Sequence, residues 1–295
     1  MDEPVVAAPK RIMLATDLSC RCDRALDRAR RLARDWKATL VLVHVMEPGL
    51  ADRIRTEPDV PSWRRTGDPA TKMRHQIWRD LAGDMADVDV RVVEGEAAEQ
   101  LLAVAAEERC DLIVTGVARD GILGPMVLGT TVNKLVRHAE VPVLIVRNRV
   151  NRPYGKIVVG TDFSDSSARA LTTAAKWFPT AEYVLFHGYD IPFDDLLDKD
   201  EFGRQLAAME ERCKADFLAK TPLDDAVRER VHLLIEHGNP ERLLWDYVTD
   251  QEADLTVIGS HGRSAFFDVL IGSMTKRLLE SAQGDTLVVR RPRTR

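Results

Sequence analysis

Short apolar runs rich in β-branched residues alternate along this chain with longer stretches in which apolar residues recur every three or four positions. In the first half the runs fall near 11–16, 39–45, 88–93, 111–115 and 142–147, and the helical stretches near 20–36, 69–86, 96–109 and 127–139. The second half reads the same way, with strands near 156–161, 182–187, 230–235, 254–258 and 285–290. Strands that are apolar along nearly their whole length belong to a parallel sheet covered on both faces, and the intervening helices supply the crossovers. The pattern predicts an α/β, doubly wound architecture. In the helix after Asp17, Ala25, Ala29, Leu32, Ala33 and Trp36 fall at helical spacing. Arg21, Arg24, Arg28 and Arg31 take the other side with Asp23 and Asp27, which reads as a solvated face rather than a nucleic-acid surface.

The two halves are copies. Arg11-Ile12-Met13-Leu14-Ala15-Thr16-Asp17 returns as Lys156-Ile157-Val158-Val159-Gly160-Thr161-Asp162, and Asp111 to Gly116 returns as Asp254 to Gly259. Gly129-Thr130 returns as Gly272-Ser273, and Val141 to Arg147 as Asp285 to Arg290. One domain is therefore written twice, as 1–150 and 151–295, with the divide near Asn148 to Gly155 where Asn151-Arg152-Pro153-Tyr154-Gly155 breaks the pattern. Segments 46–68 and 188–200, rich in proline, glycine or aspartate, read as loops after each second strand. They are lids or specificity elements on one reading and plain solvated loops on the other.

The stretch with most chemistry is Val257-Ile258-Gly259-Ser260-His261-Gly262-Arg263, followed by an apolar run and then Gly272-Ser273-Met274-Thr275. An apolar strand feeds a glycine turn, and Gly272-Ser273 opens a helix. Glycines let backbone N–H groups approach an anion, and a helix N-terminus adds donors and partial positive charge. The spacing is neither the dinucleotide fingerprint nor the P-loop. On the bland alternative, Gly262 only makes a turn, Gly272 only permits helix packing, and Asp162 caps the helix starting near Ser164.

In this motif the chain resembles the universal stress protein family, whose nucleotide-binding members carry G-x2-G-x9-G-[ST] after the fourth strand, matched here at Gly259, Gly262, Gly272 and Ser273. The resemblance covers nearly the whole chain and implies strand order 3-2-1-4-5 in each domain, with a ligand beyond strands 1 and 4 at the switch point. It implies ATP, ADP or AMP, with Mg2+ accompanying the nucleotide, held by the second copy. Gly160, Thr161 and Asp162 would stand at the nucleoside end and backbone near Phe186 and His187 would face the base. Gly259, Gly262, Arg263, Gly272, Ser273 and Thr275 would wrap the phosphates, with Ser260, His261 and Met274 in the same segments. His261 reads as a hydrogen-bonding or exposed loop residue rather than a catalyst. His187 recurs as His44 in the first copy, which suits a structural or backbone-positioning role.

The first copy departs from the motif. Arg119 stands where the second glycine belongs, although Thr16, Asp17, Gly116, Gly129 and Thr130 keep the rest. A side chain there crowds backbone approach to phosphate, yet Arg119 can itself meet a phosphate, so the first site is read as weak, altered or empty. The resemblance further implies that the fifth strands, Val143 to Val146 and Leu287 to Val289, pair across a dimer in the family and here between the two domains, as an intramolecular pseudo-dimer. A homodimer beyond that is left open.

Composition narrows this little. Charged residues at 30% and hydrophobic ones at 45% of 295 residues suit a globular chain. No apolar run approaches the roughly 18 residues a membrane span requires, and Met1-Asp2-Glu3-Pro4 lacks a secretory pattern, so a cytoplasmic protein is expected. A net charge of -5 argues against broad nucleic-acid binding. Cys20, Cys22, Cys110 and Cys213 have no zinc spacing and read as reduced thiols, with a metal or redox role for Cys20-x-Cys22 as a minor alternative. No Mg2+-binding set or oriented general base stands out, so slow ATP hydrolysis is the most turnover expected. Three other readings fit less well. An ATP-using transferase or hydrolase of the adenine-nucleotide α-hydrolase-like superfamily needs an SGGxDS-like loop where Thr161-Asp162-Phe163-Ser164-Asp165 stands. A phosphoacceptor receiver needs an acidic set not evident here, and a ligand-free interaction scaffold leaves the second-copy motif without a purpose.

Overall fold

Each apolar run becomes a strand and each periodic stretch a helix. The computed structural model describes residues 7–19, 22–49, 68–81, 88–117, 128–189, 212–260 and 273–290. The chain divides into two units, Pro9–Val150 and Asn151–Arg295, the second also taking in Ala7 and Ala8. In the first, β1 (Arg11–Thr16), α1 (Asp23–Trp36), β2 (Thr39–Met46), α2 (Pro69–Leu81) and β3 (Val88–Glu94) are followed by α3 (Ala97–Glu107), β4 (Leu112–Thr115), α4 (Thr130–His138) and β5 (Val143–Ile145). Every strand pair is parallel and the order is β3-β2-β1-β4-β5. Right-handed crossovers in that order carry α1 and α2 over one face and α3 and α4 over the other.

The second unit repeats the plan with β6 (Lys156–Gly160), α5 (Asp165–Trp177), β7 (Glu182–Tyr189), α6 (Asp225–Arg228) and β8 (Val231–His237). It continues through α7 (Pro240–Asp250), β9 (Leu255–Gly259), α8 (Ser273–Ser281) and β10 (Asp285–Val289). A further helical stretch covers 212–220. The parallel order is β8-β7-β6-β9-β10. Strand β7 runs on to Tyr189, two residues past its expected end, because Gly188 and Tyr189 still pair with Glu236 and His237. The central strands are sealed: Ile12, Met13, Leu14, Leu40, Val41, Val158 and Val159 have no exposed surface. The loops after the second strands fall mostly outside the described residues.

The duplication reaches the backbone. Leu18 and Phe163 share a left-handed conformation (φ 61° and 59°), as do Arg109 and Glu252 (51° and 50°) at the ends of α3 and α7. Gly95 and Gly238, before those helices, pair in the same way (148° and 134°).

One carboxylate in each unit ties the fourth strand to the first. Asp254 Oδ2 accepts from the N–H groups of Gly155 and Lys156, both at 2.9 Å, while its Oδ1 takes the Arg152 guanidinium at 2.7 Å. Asp111 Oδ2 does the same for Lys10 and Arg11, at 2.8 and 3.0 Å. Each aspartate also donates its own N–H to the neighbouring strand, Asp254 to Lys156 O and Asp111 to Arg11 O. These clamps set the register of the amino ends of the paired strands.

One expectation fails on α1. Arg28 is not part of a solvated face but 4% exposed, alongside Ala25, Ala29 and Leu32. It stands three residues after Ala25 and four before Leu32, so the helical period places it on the buried stripe whatever its charge. Arg24 is half-buried and donates to the Arg147 carbonyl at 2.5 Å. Arg31 pairs with Asp35 on the surface at 2.8 Å.

Removing the Asp254 carboxylate strands two backbone donors. Asp254→Ala is expected to lower the stability of the second unit by about 1–3 kcal/mol, and Asp254→Asn, which keeps an acceptor, by less. Urea unfolding of the two variants beside the parent checks the order.

Candidate functional site

The first strand of each unit ends in Thr-Asp, and the turn that follows is built by those two side chains. In the second unit Thr161 N donates to Phe186 O at 2.9 Å, extending the ladder one step beyond β6. Thr161 Oγ1 then accepts from Phe163 N at 2.9 Å, and Asp162 Oδ1 accepts from Ser164 N at 3.1 Å and Ser167 Oγ at 3.2 Å. These bonds hold Phe163 in its left-handed conformation. The N-cap of α5 is Ser164, whose side chain accepts from Ser167 N at 3.4 Å, so Asp162 shapes the turn ahead of the helix rather than capping it.

The first unit repeats the bonds of the turn but not the cap, since the N-cap of α1 is Cys22 and makes no side-chain cap bond. Leu18 N donates to Thr16 Oγ1 at 3.0 Å, and Ser19 N to Asp17 Oδ1 at 2.9 Å. The Cys22 thiol, in the place of the Ser167 hydroxyl, lies 3.1 Å from Asp17 Oδ1. Cys22 and Ser167 both stand five residues after the aspartate, a signal visible only when the copies are laid side by side.

A histidine on the second strand locks each turn from the side. His187 Nδ1 lies 2.7 Å from Thr161 O, and His44 Nδ1 lies 3.0 Å from Thr16 O. A carbonyl oxygen only accepts, so Nδ1 carries the proton in both rings. In the second unit His187 is also part of an aromatic row: Phe163 lies 4.9 Å from it and Tyr189 6.3 Å, with His237 5.3 Å from Tyr189. The Phe186 side chain takes no part. It is 3% exposed and packs with Val158, Val184 and Leu244.

The fourth strand ends next to this turn. Gly160 is opposite both Phe186 and Ile258, so β6 and β9 finish side by side. A Cβ on Gly259 would stand 2.4 Å from Ser166 Oγ and 3.0 Å from Ser166 backbone, so glycine here admits the first turn of α5 against the strand. Ser260 is fully buried and donates its N–H to Val289 O at 3.0 Å. Thr275 Oγ1 donates to Gly259 O at 3.0 Å, which ties the start of α8 onto the end of β9. Met274 beside it is 36% exposed. Of Ser273 only its place as the first residue of α8 is described, and His261, Gly262, Arg263 and Gly272 lie outside the described residues.

In the first unit Gly116 follows β4, and its carbonyl accepts from Thr115 Oγ1 at 3.2 Å. Gly129 is the N-cap of α4, Thr130 its first residue, and Asn133 Nδ2 donates to Leu128 O at 3.0 Å. Arg119 lies outside the described residues. Among the described residues no three His, Cys, Asp or Glu side chains gather as a metal-binding group, and no helix is long and apolar enough to cross a membrane.

Burial of Asp17 works to raise its carboxyl, but hydrogen bonds from Ser19 and Cys22 outweigh it and hold the group below its ordinary value of 3.8. Burial pushes the Cys22 thiol up to about 11, so it stays protonated at neutral pH and serves as the donor. A carboxyl depressed by folding adds stability that is complete above its unfolded value and lost as pH falls through the folded one. Asp17→Asn is therefore expected to be less stable than the parent at pH 6 and to lose less between about pH 4 and pH 2, as urea midpoints across that range will show.

The model of the universal stress protein family matches this chain twice, over residues 9–147 and 153–290. A universal stress protein of Mycolicibacterium smegmatis is 28% identical over 306 aligned positions, covering 95% of this chain and 96% of that protein. Among solved structures, a functionally unknown protein of Pseudomonas aeruginosa PAO1 superposes with a TM-score of 0.70 at 18% identity, over 98% of this chain and 95% of its own. A protein described as a putative universal stress protein, from Pseudomonas aeruginosa UCBPP-PA14, reaches 0.69 at 20% identity, over 97% and 94%. These two share the fold. With the family model covering both halves, and the Thr-Asp turn, locking histidine and Asp clamp present in each, the chain belongs to the universal stress protein family and carries its domain twice.

Proposed function

We propose that the chain binds an adenine nucleotide at the carboxyl rim of its second unit and acts as a cytoplasmic stress-response module through ligand-dependent conformation or partner binding. One observation carries this reading: β6 and β9 end side by side, and the Thr275–Gly259 bond at 3.0 Å holds the start of α8 over that end. The first N–H groups of a helix have no partner within it, and an anion is the natural one. Gly259 and the motif residues Gly262, Arg263, Gly272 and Ser273 are then the phosphate cradle. Asp162, fixed by Ser164 and Ser167, is the acceptor for a sugar hydroxyl or a base amino group. The aromatic row at His187 and Tyr189 gives the base a flat wall.

The nucleotide is ATP, ADP or AMP, with Mg2+ brought by the phosphates. Hydrolysis is slow at most, since no oriented general base stands out among the described residues of the site. Coupling to a partner needs only that the two conformations differ in nucleotide affinity. Arg119 in place of the second glycine makes the first unit the weaker or altered site.

Calorimetric titration with ATP is expected to give one tight site per chain. At about a hundred times its Kd the nucleotide should stabilise the second unit by roughly 2.7 kcal/mol. Gly262→Val should abolish the shift and leave the ligand-free unfolding transition in place. Two sites of equal affinity, or a valine variant that binds ATP as the parent does, would contradict the assignment.

A further inference from the structure

The same turn follows the first strand of both units, but what packs against it differs. In the second unit Phe163 sets its ring against Phe217, from the helical stretch 212–220, with centroids 5.7 Å apart and planes at 80°. In the first unit the residue at that point of the turn is Leu18, in the same left-handed conformation, and the helix between second and third strands, α2, offers Ile77. Two rings give way to two aliphatic side chains. The space they leave is a cavity of about 120 Å³, walled by Leu14, Leu18, Leu26 and Ile77. Leu14 and Ile77 are buried, whereas Leu18 is 37% exposed, so the hollow is closed at its floor and reached past Leu18.

We propose that this cavity binds a small monocyclic aromatic molecule bearing a hydroxyl, of the phenol class. The second unit supplies the shape argument, since there the residue matching Leu18 is Phe163, whose ring packs edge to face on that of Phe217. Size agrees: a cavity of about 150 Å³ walled by apolar side chains takes up benzene. The Cys22 thiol lines the hollow and stays protonated, a polarisable sulfur of the kind that rests well against a ring. Thr16, Ser19, Asp23 and Gln76 complete the lining, and the last two bring acceptors for the ligand hydroxyl, which a hydrocarbon leaves unused. The site adjoins the Thr16-Asp17 turn of the first unit, whereas the nucleotide is placed in the second. It lies between the sheet and the helices α1 and α2, on the face away from α4 and Gly129.

The test titrates the full chain with phenol, followed by saturation-transfer NMR, with toluene and cyclohexanol as probes lacking the hydroxyl and the ring. Phenol is expected to bind saturably and more tightly than either, and to slow alkylation of Cys22. Leu18→Phe copies a side chain the second unit already carries in that backbone conformation. It is expected to weaken phenol at least about tenfold and to raise the unfolding midpoint of the first unit by about 2 °C, because the ring fills the space. Ile77→Phe should weaken phenol likewise. Absence of saturable phenol binding overturns the proposal, as does phenol binding undiminished in both variants. A lowered midpoint in Leu18→Phe overturns it too, since the space would then be taken by the chain itself. Toluene or cyclohexanol binding as tightly as phenol overturns the ligand class.

Discussion

A parallel sheet buried on both faces leaves polar chemistry almost nowhere to go except the strand ends. The central strands here have no exposed surface over Ile12 to Leu14, Leu40 and Val41, or Val158 and Val159, so a hydrophilic side chain there would have to find its partner within the protein. At the amino ends the two clamping aspartates, Asp111 and Asp254, consume the available donors and fix the strands against each other. At the carboxyl ends the crossovers part to opposite faces, and the space between them is where a ligand can reach main chain. The Thr-Asp turns stand there because that is the place where a carboxylate can be both held and accessible.

Duplication inside one chain separates what the backbone requires from what side chains are free to change. Three pairs of positive-φ residues recur in the two units, and with them the turn bonds and the locking histidines. The side chains on that frame differ: Cys22 stands for Ser167, Leu18 for Phe163, and Cys110, buried at 4%, for Ala253. The first and last of these swaps keep a donor or a small volume where the frame needs one. Where the frame needs only bulk, as beneath the turn, the units diverge, with two packed rings in one and a cavity beside Leu18 and Ile77 in the other.

Much of this was legible in the sequence because the two periods, near 2 and near 3.6, set both strands and helices directly. Strand ends came within one or two residues, and the repeat itself placed Thr16 with Thr161 and Gly116 with Gly259. Arg28 shows where reading by charge misleads: its register already assigned it to the buried stripe with Ala25 and Leu32. The Ser167 and Cys22 contacts were not legible, since a donor five residues past an acid has no composition signature until the turn brings it back. Nor was the reason for Gly259, because the close approach of Ser166 comes from a different strand–helix unit and only packing reveals it.

The locking histidines have one more effect. Because Nδ1 is the donor to the threonine carbonyl, the neutral ring offers Nε2 as its acceptor. The turn that carries Asp162 is thereby anchored by a ring that stands in one row with Phe163 and Tyr189. The bond that anchors the rim thus also fixes the tautomer of the anchoring ring, and with it the one edge on which that ring can accept a hydrogen bond.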